Sequence, residues 1–301
     1  MRARERAVEG GFTLVEAIIV IVIIGIIGAI VAVFIRAPIA GYADRVARAE
    51  ALDEADLALR RMARDIRAAL PNSVRVSADG SALELLLTRT GGRYLAAADN
   101  ATNGEPPLDF ENDANTSFTV VGGLAAPVAA GDFVVVYNLG PGMAPADAYN
   151  LNNDPAGNNR NIARISAAAA AGAAQISLAD NPFARQLEPM PSPGNRFQVV
   201  SGAVTYRCQT EGTRRVLRRY AGYAIEAAMP DTPQGGGSAL LAARLADCAN
   251  LFRYDPPGAT EMRQSGLVIL NLALHTKGAT DLTGDGASVR LLYQVHIDNT
   301  P

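Results

Sequence analysis

The stretch that decides the architecture is FTLVEAIIVIVIIGIIGAIVAVFI, residues 12–35, in which Thr13 and Glu16 are the only polar side chains among 24 residues. As a helix it spans about 36 Å, enough to cross a hydrocarbon core of about 30 Å. Its β-branched run, Ile18-Ile19-Val20-Ile21-Val22-Ile23-Ile24, suits an isolated helix in water poorly. In lipid the backbone must satisfy its own hydrogen bonds, which forces the helix. A polar leader, residues 1–11, carries Arg2, Arg4 and Arg6, while Arg36, Arg45 and Arg48 follow the span. The basic residues therefore assign no orientation. A cleavable secretory signal has an apolar core of about 7–15 residues and a small-residue cleavage site. This stretch is longer and has no such site. A plain anchor leaves Glu16 unexplained, because a lone carboxylate inside a bilayer costs about 2.5–3.5 kcal/mol on insertion scales and calls for a partner or a function.

Outward from that stretch, the chain has 301 residues, 49% hydrophobic and 19% charged, with no Trp. That composition excludes a disordered chain. Net charge is 27 minus 30, or −3, and Lys277 is the only lysine, so no basic surface for nucleic acid is offered. Cys208 and Cys248 are too few for a disulfide scaffold and lack zinc spacing. In an oxidising compartment they would close a loop of about 40 residues, worth about 3–4 kcal/mol in the chain-entropy model. Two free buried thiols are the alternative.

Past Arg36, Pro38 and Gly41 predict a kink or local break in the helix. From Ala43 to Leu70 an amphipathic pattern sets Val46, Leu52, Leu57, Leu59, Met62, Ile66 and Leu70 against charges such as Asp53, Glu54, Arg60, Arg61 and Arg64. Asp56 and Arg60, and Arg61 and Asp65, are favourable pairs four residues apart. The charged face reads as solvated, and Pro71 ends the helix. Beyond it, strands are expected at 82–87, 118–121, 132–137, 162–166, 175–178, 196–208, 214–220, 266–275 and 288–297. No alternation of strands with helices appears, so the sheet should be antiparallel. Residues 140–160, rich in Asn, Asp, Pro and Gly, read as a long surface loop, and Gln234–Ser238 as a flexible connector. The expected class is α+β, with four parts: a leader at 1–11, a transmembrane helix at 12–35, its amphipathic continuation at 36–70, and a β-rich head at 71–301.

The junction Gly10-Gly11-Phe12-Thr13-Leu14-Val15-Glu16 resembles the signal of type IV pilins and type II secretion pseudopilins. The shared pattern is a Gly before the cut, a Phe after it and a Glu at the fifth mature position. The resemblance implies cleavage between Gly11 and Phe12 by a prepilin peptidase, and N-methylation of Phe12. It also implies that Glu16 meets the amino terminus of a neighbouring subunit during assembly. The leader would lie in the cytoplasm and the head in the periplasm. Implied partners are other minor and major pilins or pseudopilins and an inner-membrane assembly platform.

The head carries a second resemblance. Val204-Thr205-Tyr206-Arg207-Cys208, Cys248, Phe252-Arg253-Tyr254-Asp255-Pro256, Arg263–Val268 and Leu291–Pro301 are similar to the O proteins of mannose-sensitive haemagglutinin (MSHA) pilus biogenesis. Tyr137-Asn138 and Ala146-Asp147-Ala148-Tyr149 agree with it, and Leu240-Leu241 with Arg244-Leu245 resembles J-type minor pseudopilins. Implied is a minor pilin-like subunit that primes or caps a pilus. A minor pseudopilin of type II secretion is the nearest alternative. A membrane-anchored envelope adhesin or ligand-binding module, using residues 140–160, is the alternative from another class.

Other chemistry is sparse. Asp281, Thr283 and Asp285 copy early positions of a calcium loop, yet the twelfth position is Leu292, so Gly284 and Gly286 read better as a hairpin turn. His275 and His296 fall on expected strands without a nucleophile motif, and no phosphate-binding loop occurs. Neither catalysis nor a cofactor is expected.

Overall fold

Thr13 opens the first element. In the computed structural model, which describes residues 11–99, 104–152, 159–256, 265–276 and 287–301 (backbone alone at 33, 35–40 and 152), helix α1 runs Leu14–Arg67. The Glu16 N–H donates to Thr13 Oγ1 at 3.3 Å and the Ala17 N–H to the Thr13 carbonyl at 3.1 Å, so Thr13 is the N-cap. The expected break at Pro38 and Gly41 is absent, and the helix is uninterrupted through both. Pro38 deletes one donor, and the bonds on either side carry the helix past it.

The carboxyl end differs as well. The helix stops at Arg67 rather than Leu70, because the sheet takes its last residues. Ala69 bridges Leu87, the Leu70 N–H donates to the Leu86 carbonyl at 2.8 Å, and the Thr88 N–H to the Ala68 carbonyl at 2.9 Å.

The chain divides into two compact units, Met1–Glu50 and Ala51–Pro301. In the second, the helix buries Ala51, Ala55, Ala58, Leu59, Met62, Ala63 and Ile66. Leu52 and Leu57, expected on that face, are 39% and 69% exposed. Val46, in the first unit, is exposed too. The buried row steps by three and four residues through alanines, so it forms one face of the helix.

The first sheet is built from β1 (Arg75–Val76), β2 (Ala82–Tyr94), β3 (Ser117–Val121), β4 (Phe133–Val135), β5 (Ile162–Arg164), β6 (Gln175–Ser177), β7 (Arg196–Glu211), β8 (Arg214–Tyr223) and β9 (Gly237–Ala242). Its order is β5-β4-β7-β2-β3-β6, with β1 on β2, β8 on β7 and β9 on β8. The second sheet is β10 (Phe252–Asp255), β11 (Ser265–His275) and β12 (Ser288–Asp298), in chain order. Every strand pairing in both is antiparallel.

Two loop readings are corrected. Gly237 and Ser238 are not connector but β9, opposite Ala221 and Tyr220. Backbone pairing at an edge needs no side chain, so composition hides it. Within 140–160, Ala146, Ala148 and Tyr149 are buried, so that part of the segment is core rather than surface loop. A hydrophobic cluster unites the buried helix row with Leu83, Leu85, Val204 and Tyr206 of the first sheet and Val268, Leu270 and Leu272 of the second.

Candidate functional site

The amino-terminal junction is built from very little. Gly11 and Phe12 precede the helix, and Phe12 is 76% exposed. A Cβ placed on Gly11 meets nothing within 4 Å, so no packing among the described residues demands glycine there. Any such demand comes from a molecule that approaches the backbone. The segment Leu14–Ala32 is long and apolar enough, by length and composition, to cross a membrane, and none of it is buried. A helix apolar on every side belongs among lipids or other helices.

Glu16 stands three residues after the Thr13 cap, the spacing of a capping box, and its carboxylate sits in the first turn, where the helix dipole favours negative charge. Thr13 is the residue that sequence reasoning passed over, and T-x-x-E at 13–16 was the available signal.

In the head, the charges expected on a solvated face hold the helix in place. The buried Asp65 carboxylate accepts from Tyr206 Oη at 2.6 Å and Arg219 Nε at 2.7 Å, with Arg61 Nε at 3.6 Å. Burial first, and then that carboxylate, hold the Tyr206 hydroxyl proton well above its ordinary pKa. Glu54 accepts from the Ala243 N–H at 2.6 Å and Arg244 Nη2 at 3.2 Å. Both acids lie at the margin of the alanine row, three residues from Ala51 and Met62, so tracking alanine rather than leucine would have found them.

Two further networks brace this seat. Glu84, fully buried on β2, accepts from Arg75 Nη2 at 2.5 Å, Thr205 Oγ1 at 3.1 Å and Tyr223 Oη at 2.9 Å. The Arg75 guanidinium lies 3.8 Å from the Tyr149 ring centroid, and Tyr149 Oη donates to the Ser73 carbonyl at 2.8 Å. Beyond the end of α1, Asn72 has φ +60°, an uncommon conformation that Asn tolerates. Its N–H donates to Asn299 Oδ1 at 3.0 Å and its Nδ2 to the Asn138 carbonyl at 2.9 Å. Asn138 Nδ2 returns to the Pro71 carbonyl at 2.7 Å, and Asn299 Nδ2 reaches Tyr254 Oη at 3.0 Å.

Cys208 and Cys248 form a disulfide, with Cα atoms 5.4 Å apart. The head residues that carried the second resemblance (Asn138, Tyr149, Tyr206, Cys208, Cys248, Tyr254 and Asn299) thus act as braces. His275 is buried and donates its N–H to the Arg244 carbonyl at 2.9 Å, whereas His296 is exposed on β12. Among the described residues, no group of three or more His, Cys, Asp or Glu could hold a metal ion. Asp281, Thr283 and Asp285 lie outside the described residues.

Residues 6–32 match the model of the prokaryotic N-terminal methylation motif. That match takes in Gly11, Phe12, Glu16 and most of the apolar span, and it suits a pilin- or pseudopilin-like precursor with a membrane anchor near its amino terminus. No curated protein and no solved structure matches the chain.

Proposed function

We propose that the chain is a minor pilin-like subunit that acts by assembly, priming or capping a type IV pilus of the MSHA type. The observation that carries this reading is the methylation motif running into a helix that buries none of Leu14–Ala32 within its own chain. A prepilin peptidase would cut between Gly11 and Phe12 and methylate the new Phe12 amino group. The leader would lie in the cytoplasm and the head in the periplasm. The Glu16 carboxylate would then pair with the amino terminus of an adjacent subunit. In low dielectric that pairing offsets the desolvation of both charges, whereas removing one partner strands the other. Partners are the peptidase, other pilins and an inner-membrane assembly platform. The braces around Asp65 and Glu84 present a rigid head rather than a reaction centre, in keeping with a structural subunit.

Mass spectrometry of the amino-terminal peptide from membranes tests the reading. N-methyl-Phe12 is expected, whereas an intact Met1 or a start near Gly41 would overturn it. Glu16→Ala should still be processed and inserted but should enter filaments poorly, as read by the variant's abundance in sheared filaments against membranes. A minor pseudopilin role in type II secretion shares all of these features. Loss of piliation against loss of secretion on deletion separates the two.

A further inference from the structure

The two sheets of the head are joined by a short strap, residues 243–251, that has no regular secondary structure of its own. The Leu245 N–H donates to the Arg215 carbonyl of β8 at 3.0 Å, and Leu245 also bridges Leu274 of β11. The Ala246 N–H reaches the Ala273 carbonyl at 2.8 Å, and the His275 N–H returns to the Arg244 carbonyl at 2.9 Å. Further along, the Asn250 N–H donates to the Asp79 carbonyl at 2.9 Å. One covalent tie holds the strap, the bond from Cys248 to Cys208 in buried register on β7. At its start, the Ala243 N–H and Arg244 Nη2 hold the Glu54 carboxylate, in the first helical turn of the unit that begins at Ala51.

We infer that this disulfide is a redox-gated clasp on the helix. While Cys208 and Cys248 are bonded, the strap is pinned and Ala243 and Arg244 are held where Glu54 meets them. A dithiol reductant would attack the Cys248 sulfur, the less buried of the two. The Sγ–Sγ bond breaks, Cys208 leaves as a thiolate and takes a proton. The second thiol of the reductant then displaces Cys248, and the reductant departs as a disulfide. Two electrons and two protons have passed to the protein. The freed strap peels from the seam and Glu54 loses both contacts, so the first turn of the head's helix loosens. The remainder of the helix stays fixed by Asp65, Tyr206 and Arg219, and β2, β7 and β8 stay paired. The clasp works in this way whichever filament takes up the chain.

Hydrogen exchange on the full chain in detergent micelles, oxidised against reduced and alkylated, tests it. Reduction should speed exchange in peptides covering 243–250 and 51–58 by about tenfold or more, with β2 and β7 unchanged, as local opening requires. Glu54→Gln in the oxidised chain should reproduce the change at 51–58 while 246–250 stays protected. Unchanged exchange at 51–58 in either sample overturns the clasp. So does loosening of the whole head together on reduction, which would make the disulfide a global staple.

Discussion

Residues 14–32 and 51–67 belong to one helix, yet they spend their apolar side chains in opposite ways. The first stretch is packed with Ile and Val and buries none of them, and the second hides a row of alanines with Leu59, Met62 and Ile66 in a core shared with both sheets. Along this helix the exposed apolar stretch is built of large side chains, whereas the buried row mixes alanines with only three larger ones. The charges follow the same division. The Glu16 carboxylate sits in the first turn, where only its backbone N–H meets the Thr13 cap, whereas the Asp65 and Glu54 carboxylates are each held by two partners from the head.

The sharpest way to break this contrast is at Asp65. Asp65→Ala leaves the largely buried Arg219 guanidinium without its carboxylate and should cost about 3–5 kcal/mol, the usual consequence of stranding one partner of a buried pair. Thermal unfolding of the head should fall by roughly 10 °C, and an unchanged melting temperature would show that the pair is dispensable. Next comes Ala55→Leu, which forces a large side chain into the buried row and should cost about 1–3 kcal/mol. The counterpart Ile23→Ala, which removes the same three carbons that Ala55→Leu adds, should move the head's melting by no more than about 0.5 kcal/mol. Equal effects from both would erase the distinction between the two stretches.

The smallest effect concerns acid. Asp79 Oδ1 accepts from Ser77 Oγ at 2.7 Å, the Ser81 N–H at 3.0 Å and Ser81 Oγ at 2.8 Å. The Ser77 hydroxyl, then the Ser81 amide and hydroxyl, lower its pKa from 3.8 to about 2. A depressed carboxylate stabilises the fold above its unfolded pKa, and that contribution disappears as pH falls through the folded value. Protection of the 77–81 turn amides, relative to their intrinsic exchange at each pH, should therefore fall between about pH 4 and pH 2, and Asp79→Ala should abolish this acid response.

Much of the architecture was legible because its signals are local. Each of the nine expected strands appears, since each carries its own apolar or alternating run between turn residues. The misses share a cause. β1, β9 and β10 owe their strand character to neighbours supplied by distant parts of the chain, β10 for example pairing with β11. The three residues after Arg67 likewise gave up the helix for contacts with Leu86, Leu87 and Thr88, which no window around Leu70 contains. At the junction, the methylation motif was legible because its pattern is contiguous. The roles of Glu54 and Asp65 were not, because their partners lie more than a hundred residues away.

The asparagine knot has a consequence in time. Asn72 follows α1 and Asn299 follows β12, 227 residues apart, and the two share two hydrogen bonds. A chain made from its amino end therefore cannot tie this knot until β12 has been made, because Asn72 waits for Asn299. Until then the edge of β11 that receives β12 stays open. A chain that lacks Asn299 should accordingly mature far more slowly than the number of atoms removed suggests. A pulse-chase of protease resistance, comparing the full chain with one ending at Ile297, would measure that delay.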